Sequence, residues 1–252
     1  MTGGSREIAL VTLATEQPAA SFERYRDSFR NLGVKTLHHI DARMREDCAD
    51  PQGLEVLEQV GGIFFTGGDQ LRITSVLGGT PYEEAVRRAY LRGAAIGGTS
   101  AGASAMSATM LVGGADEKSA SRGTVRMCPG LGLLRDAVVD QHFAQRGRIN
   151  RLLAALAQNP GTLGIGIDED TAVLVHGGLE HMEVLGSGTV TVLDARSAYV
   201  GDASEAAVDA PVRLGPVALW VLPQGSSFDL LRRRATHNRP QAGEHSAVPV
   251  SR

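Results

Sequence analysis

Apolar runs of four to seven residues recur along this chain, and most end in glycine or in a polar cluster. Ile8–Ala14 is one such run, of strand length. Phe22, Tyr25, Phe29 and Leu32 then repeat every three or four positions, which predicts a helix whose end Gly33 caps. Val34–Ile40 reads as the next strand, Leu54–Gln59 as a helix and Gly62–Thr66 as a buried strand. Helices follow over 70–77 and from Pro81 to about Leu91, since proline suits a first helical turn. Ala94–Gly98 is a small apolar strand leading into Thr99-Ser100-Ala101-Gly102. The pattern loosens over Gly113–Arg126, which predicts a surface loop near the site. Val138–Val139 is a short strand, Arg148–Gln158 an amphipathic helix and Leu163–Ile167 a strand. Ala172–Val175, Met182–Leu185, Thr189–Asp194 and Val217–Leu222 read as further strands, several antiparallel by their short connections. From Ala235 onward the chain is polar and proline-bearing, which predicts a disordered tail over 235–252 behind one domain spanning 1–234.

Strands alternating with helices imply an α/β fold with a mostly parallel central sheet covered on both faces. In such sheets chemistry gathers beyond the carboxyl ends of the strands. Four polar clusters follow strand-like runs here: Gly67–Gln70, Thr99–Gly102, Asp140–His142 and Asp168–Asp170.

Composition narrows the partners. The 252 residues are 42% hydrophobic and 21% charged with a net charge of −3, so no field favours nucleic acid or an anionic membrane. No apolar run is long enough to cross a bilayer, and the first residues lack an apolar signal core, which points to the cytoplasm. Cys48 and Cys128 make no disulfide framework, and no spaced His/Cys pair suggests a metal site or a metal hydrolase. No cofactor is called for.

Gly98-Thr99-Ser100-Ala101-Gly102 fits G-x-S-x-G, a sharp strand-to-helix turn that projects a serine hydroxyl from the sheet. As a bare motif it serves an N-cap turn equally well; the preceding strand and following helix favour a nucleophile. The Ala101 amide would be one oxyanion donor and the Gly67-Gly68-Asp69 turn the second. A serine needs a base. Of seven histidines, His142 stands just past a parallel-type strand with polar neighbours, which ranks it above the rest. The base needs an acceptor. Asp168, Glu169 and Asp170 all follow an apolar run, and spacing does not choose among them. The order Ser, His, acid differs from the Ser, acid, His order of lipases and esterases.

These stretches together resemble the cyanophycinases, of a serine peptidase family that also holds aspartyl dipeptidases. The resemblance rests on Thr66–Leu71, Gly98–Ala103, Asp140–Phe143 with Arg146, Arg148 and Arg151, and Gly164–Thr171, in order across about Ile8 to Leu231. It implies a flavodoxin-like or class I glutamine amidotransferase-like sandwich, usually a homodimer. It implies Ser100 as nucleophile, His142 as base and Glu169 as the triad acid. Asp69, Gln70, Asp140, Gln141, Arg146, Arg148, Arg151 and Thr171 fall on or beside substrate positions, and Gly68 and Ala101 on the oxyanion amides. The implied substrate is cyanophycin, a poly-aspartate bearing arginine on each β-carboxyl, released as β-aspartyl-arginine dipeptides. Arg146, Arg148 and Arg151 would clamp its carboxylates, and Asp69, Asp140 or Asp170 would receive its guanidinium groups. The rival readings are an aspartyl or isoaspartyl dipeptidase and a non-catalytic relative. Members of the family normally begin with a further strand-and-helix unit carrying a Gly-Gly-Ala-Glu-Asp-like turn. This chain starts at the strand that should come second, so an open apolar sheet edge is expected.

Overall fold

The structure, a computed structural model, describes residues 7–114, 120–121, 123, 125–176, 180–201, 207 and 210–236. β1 (Glu7–Val11), α1 (Pro18–Asn31), β2 (Thr36–Ile40), a 3-10 turn at Arg45–Ala49, α2 (Pro51–Gln59) and β3 (Gly62–Phe65) come first. α3 (Gln70–Leu77), α4 (Pro81–Leu91), β4 (Ala95–Gly98) and α5 (Ala101–Ala105) follow. Three of these helices begin on proline, which has no amide to leave unsatisfied in a first turn. The strands form a parallel sheet in the order β2-β1-β3-β4. Ile8 lies opposite Leu37 and Gly62, and Phe65 opposite Gly98. A single apolar cluster that includes Leu13, Leu57, Ile63, Phe65, Leu77 and Val86 joins this sheet to its helices.

The second half starts with β5 (Thr109–Gly114) and β6 (Val125–Pro129), then β7 (Ala137–Gln141), α6 (Ile149–Gln158) and β8 (Leu163–Ile167). β9 (Thr171–His176), β10 (His181–Gly186), β11 (Thr189–Asp194), β12 (Tyr199–Val200) and β13 (Leu214–Gly215) come next. β14 (Ala218–Pro223), β15 (Ser227–Asp229) and β16 (Arg234–Thr236) complete it. β7 and β8 are parallel, with Asp140 opposite Gly166, and both are buried along their whole length. β11 and β14 extend that sheet antiparallel, and β9, β10, β15 and β16 form a separate antiparallel sheet. The architecture is therefore mixed α/β around parallel strands, with more antiparallel pairing in its second half than alternation alone suggests.

Two expectations change. Part of the predicted loop at 113–126 is strand: β5 and β6 pair antiparallel from Thr109↔Pro129 to Gly114↔Val125. Glycine and charge mask that pairing in the sequence, because its register comes from a distant partner and not from local periodicity. Residues 115–119, 122 and 124 of that loop lie outside the described residues. At the other end, Ala235 and Thr236 belong to β16, while the rest of the expected tail, 237–252, lies outside the described residues. No described helix is long and apolar enough to cross a membrane.

Among the strands of the described residues, β4 pairs only with β3. Its other edge opens on a cavity of about 470 Å³, lined in part by Ala95, Gly97, Ala103, Met106, Val173 and Val175. All four β4 residues are only half-buried.

Candidate active site

Phe65 and Gly98 end adjacent parallel strands, and their carboxyl ends deliver two tight turns side by side. Ser100 takes φ 49° and ψ −111°, a conformation unfavourable to a residue with a Cβ. Small neighbours permit it. A Cβ on Gly102 would stand 2.3 Å from the Phe65 carbonyl oxygen, so only glycine lets α5 sit this close to β3. Beside it, Gly68 has φ 141°, and a Cβ there would stand 2.1 Å from the Ala14 carbonyl oxygen. The Asp69 amide donates to that same carbonyl at 3.0 Å, which holds the turn against the end of β1. Among the described residues, the Gly68 and Ala101 amides have no hydrogen-bond acceptor.

α5 is tied to the strand that carries the histidine. Ser104 Oγ donates to the Val139 carbonyl at 3.2 Å, and the Val139 amide donates to Ser107 Oγ at 3.2 Å. Both serines are buried, so these bonds fix α5 against β7. Sequence reasoning missed them. Their signal was faint: hydroxyls four and seven positions beyond Ser100, the first within α5 and the second just past its end.

Immediately after β7, His142 turns with φ 51°. Phe143 anchors that turn by burying its ring over Gly166, where a Cβ would stand 2.4 Å from the ring's Cγ. His142 Nε2 lies 3.0 Å from Ser100 Oγ, and His142 Nδ1 lies 2.8 Å from Glu169 Oε1. The structure thus brings three side chains from the ends of β4, β7 and β8 into one hydrogen-bonded line. With Nδ1–H donating to the carboxylate, Nε2 presents its lone pair to the hydroxyl. Such a line can take the serine proton and hand it to a leaving group. Glu169 keeps 54% of its side chain exposed and His142 28%, so the line is open to solvent and to a substrate.

Of the three acidic candidates, only Glu169 meets the imidazole. Asp168 accepts from the Ala144 amide at 3.0 Å, from the Thr189 amide at 3.1 Å and from Thr189 Oγ1 at 2.8 Å. Asp170 is exposed, with φ 52°.

The other anticipated contacts divide in two. Asp140 has no exposed surface and binds two guanidinium groups: Arg151 Nε at 2.9 Å and Arg148 Nη1 at 3.2 Å. Arg148 also donates to the Gln141 carbonyl at 2.7 Å, and Gln141 itself is buried. Arg148 and Arg151, expected as carboxylate clamps, thus pair with Asp140, expected as a guanidinium receiver. They are buried against one another behind His142, because an unpaired charge at that depth would cost several kcal/mol. Arg146, in contrast, is exposed, and among the described residues its guanidinium has no partner. Asp69 is exposed and caps α3 by accepting from the Leu71 amide at 2.9 Å. Gln70 Nε2 donates to the Leu111 carbonyl. Thr171 Oγ1 donates to the Glu169 carbonyl at 3.0 Å and accepts from the Gly188 amide at 3.0 Å, so it braces the acid's own turn. No group of three or more metal-ligating side chains occurs among the described residues.

Residues 1–182 match peptidase family S51. The chain belongs to that family. It is 39% identical over 237 residues to the cyanophycinase of Geminocystis herdmanii, covering 94% of this chain and 85% of that protein. To the cyanophycinase of Trichormus variabilis it is 38% identical over 228 residues, or 90% of this chain and 76% of the relative. The fold is also similar to the crystal structure of a peptidase from an acI-B1 Actinobacterium, with a TM-score of 0.65 at 20% identity over 90% of this chain and 84% of that one.

Proposed function

We propose that this protein is a serine-type peptidase that hydrolyses cyanophycin to β-aspartyl-arginine dipeptides through an acyl-enzyme. The observation that carries the mechanism is the hydrogen-bonded line Ser100–His142–Glu169 at 3.0 and 2.8 Å. The substrate class is supported by the cyanophycinases to which the chain is similar over nine-tenths of its length. Ser100 Oγ attacks the scissile carbonyl carbon as its proton passes to His142 Nε2. The amides of Gly68 and Ala101 receive the developing oxyanion. The tetrahedral intermediate expels the amine, which takes the proton from Nε2, and an ester to Ser100 remains. Water then attacks that ester, giving its proton to Nε2, and the bond between the acyl carbon and Ser100 Oγ breaks as that proton returns to Oγ and the acid product is released. Glu169 holds the imidazole in the required tautomer and stabilises the cation formed in each half-reaction.

Exposed Arg146 and Asp170 present opposite charges at the mouth of this line. They suit the free carboxylate and the guanidinium of one substrate unit. We read the architecture as flavodoxin-like, supported by the strand order β2-β1-β3-β4. A single domain and a homodimer complete the reading; sedimentation at several concentrations tests the dimer.

Digestion of purified cyanophycin followed by mass analysis is the direct test. β-Aspartyl-arginine is the expected product, and Ser100→Ala lowers kcat roughly 10³-fold or more. Turnover that survives in the variant, or a clear preference for plain aspartyl dipeptides over the polymer, overturns the proposal.

A further inference from the structure

His142 and Glu169 stand on different strand ends, and both are partly exposed. An exposed pair of that kind contributes little on its own. Its 2.8 Å separation therefore depends on what holds the two turns. Parallel pairing of β7 with β8 runs from Ala137↔Leu163 to Gln141↔Ile167 and stops there. Just beyond, the backbone swings into the left-handed region at His142 (φ 51°) and at Asp170 (φ 52°).

Pairing nevertheless continues for three rungs. The Phe143 amide donates to the Ile167 carbonyl at 3.1 Å. Next, the Ala144 amide donates to the Asp168 carboxylate at 3.0 Å, so a side chain replaces the backbone acceptor. Last, the Glu169 amide donates to Gln145 Oε1 at 3.1 Å, with the sense of the bond reversed. One clasp is thrown from the acid's turn to the base's turn, and the other returns. The first has a firm root, because the other Asp168 oxygen is held by both the amide and the hydroxyl of Thr189 on β11.

We infer that Asp168 and Gln145 are positioning residues that set the His142–Glu169 distance by continuing the β7–β8 ladder with side chains. The inference rests on the hydrolase reading above. Neither residue reaches the reacting atoms; Gln145 acts through the backbone of Glu169, and Asp168 through the backbone two residues past His142. Nothing in the local pattern of the chain singles out Gln145, and Asp168 stands there only as an alternative triad acid.

The test combines Gln145→Ala and Asp168→Ala with Glu169→Ala. Gln145 is exposed, so Gln145→Ala is expected to keep the wild-type circular dichroism and melting temperature even if Asp168→Ala folds poorly. Its expected effect on cyanophycin hydrolysis is a fall in kcat of about tenfold with KM within about twofold, the scale of a modest misplacement of a catalytic group. Added to Glu169→Ala, Gln145→Ala changes kcat by less than about twofold, because its effect passes through that carboxylate. In the substrate-free protein, the low-field imidazole N–H proton that His142→Gln abolishes should weaken or move upfield in Gln145→Ala. The positioning role is overturned if Gln145→Ala leaves both kcat and that proton unchanged, or if it is equally damaging with and without Glu169. A wild-type protein that does not hydrolyse the polymer defeats the hydrolase reading alone, since the proton signal still reports whether the clasp holds the pair.

Discussion

Asp140, with no surface exposed, is the counter-ion of two guanidinium groups, and that sets what its loss costs. Asp140→Ala removes the carboxylate that Arg148 and Arg151 share at depth, and destabilisation of about 3–5 kcal/mol is expected by urea unfolding. A loss under 1 kcal/mol would mean that the arginines find other partners and that the aspartate is not their anchor. Gly68 poses the opposite problem, a missing side chain. At φ 141° any Cβ is strained, and here it would stand 2.1 Å from a backbone oxygen. Gly68→Ala therefore shifts the turn that offers one oxyanion amide, with an expected fall in kcat on the order of 10²-fold. Steady-state rates on cyanophycin measure it, and unchanged kcat would remove Gly68 from the mechanism. At this scale the sequence was informative about residue type and blind to partners. Arg146, Arg148 and Arg151 look alike in the chain, yet one faces solvent and two turn inward, because the strand that buries Asp140 fixes where its counter-charges go.

Helices α2 and α4 meet through Gly53 and the buried ring of Tyr82. A Cβ on Gly53 would stand 1.8 Å from Tyr82 Oη and 2.6 Å from Cζ, so Gly53→Ala forces the ring out of its place. Overpacking of this kind costs about 1–3 kcal/mol, read as a lower melting temperature. A melting temperature at or above wild type would contradict the contact. Burial, with the nearby Asp50 carboxylate adding to it, also pushes the Tyr82 phenol up to about 12 from its usual 10.0. The fold therefore favours the neutral phenol. Stability is full below pH 10 and declines as pH rises from 10 toward 12, where only the unfolded chain ionises. Tyr82→Phe is expected to flatten this part of the stability curve, and an equally steep decline in that variant would assign it to other groups. Elements were legible where periodicity was strong: the stripe of Phe22, Tyr25, Phe29 and Leu32 marks α1, although the helix starts earlier, at Pro18. The β5–β6 hairpin was not legible, since glycine and charge hide a strand whose stability comes from its partner.

At the scale of the molecule, among the described residues β1 and β3 are bonded along both edges while β4 is bonded along one. The Ala95 amide donates to the Gly61 carbonyl, just before β3, and the Thr99 amide to the Phe65 carbonyl at its end, so alternation turns the Ile96 amide toward the cavity. Hydrogen–deuterium exchange is expected to be much faster at Ile96 than at Ile63, its neighbour in register. Equal protection would show that another strand or chain covers that edge in solution.

The sequence by itself determined the alternation of strands and helices, the turn at Ser100 and the short list of residues able to serve as base and acid. These follow from local patterns: the period of apolar residues, the glycines a tight turn requires, and the chemical types that move protons. Among the three acidic residues that spacing left open, tertiary structure put Glu169 against the imidazole; it also decided that two arginines serve Asp140, and that Ser104 and Ser107 hold α5 and the turn after it to β7. Each of those depends on which strand lies beside which, and that is set by long-range register and burial, quantities that no stretch of chain carries alone.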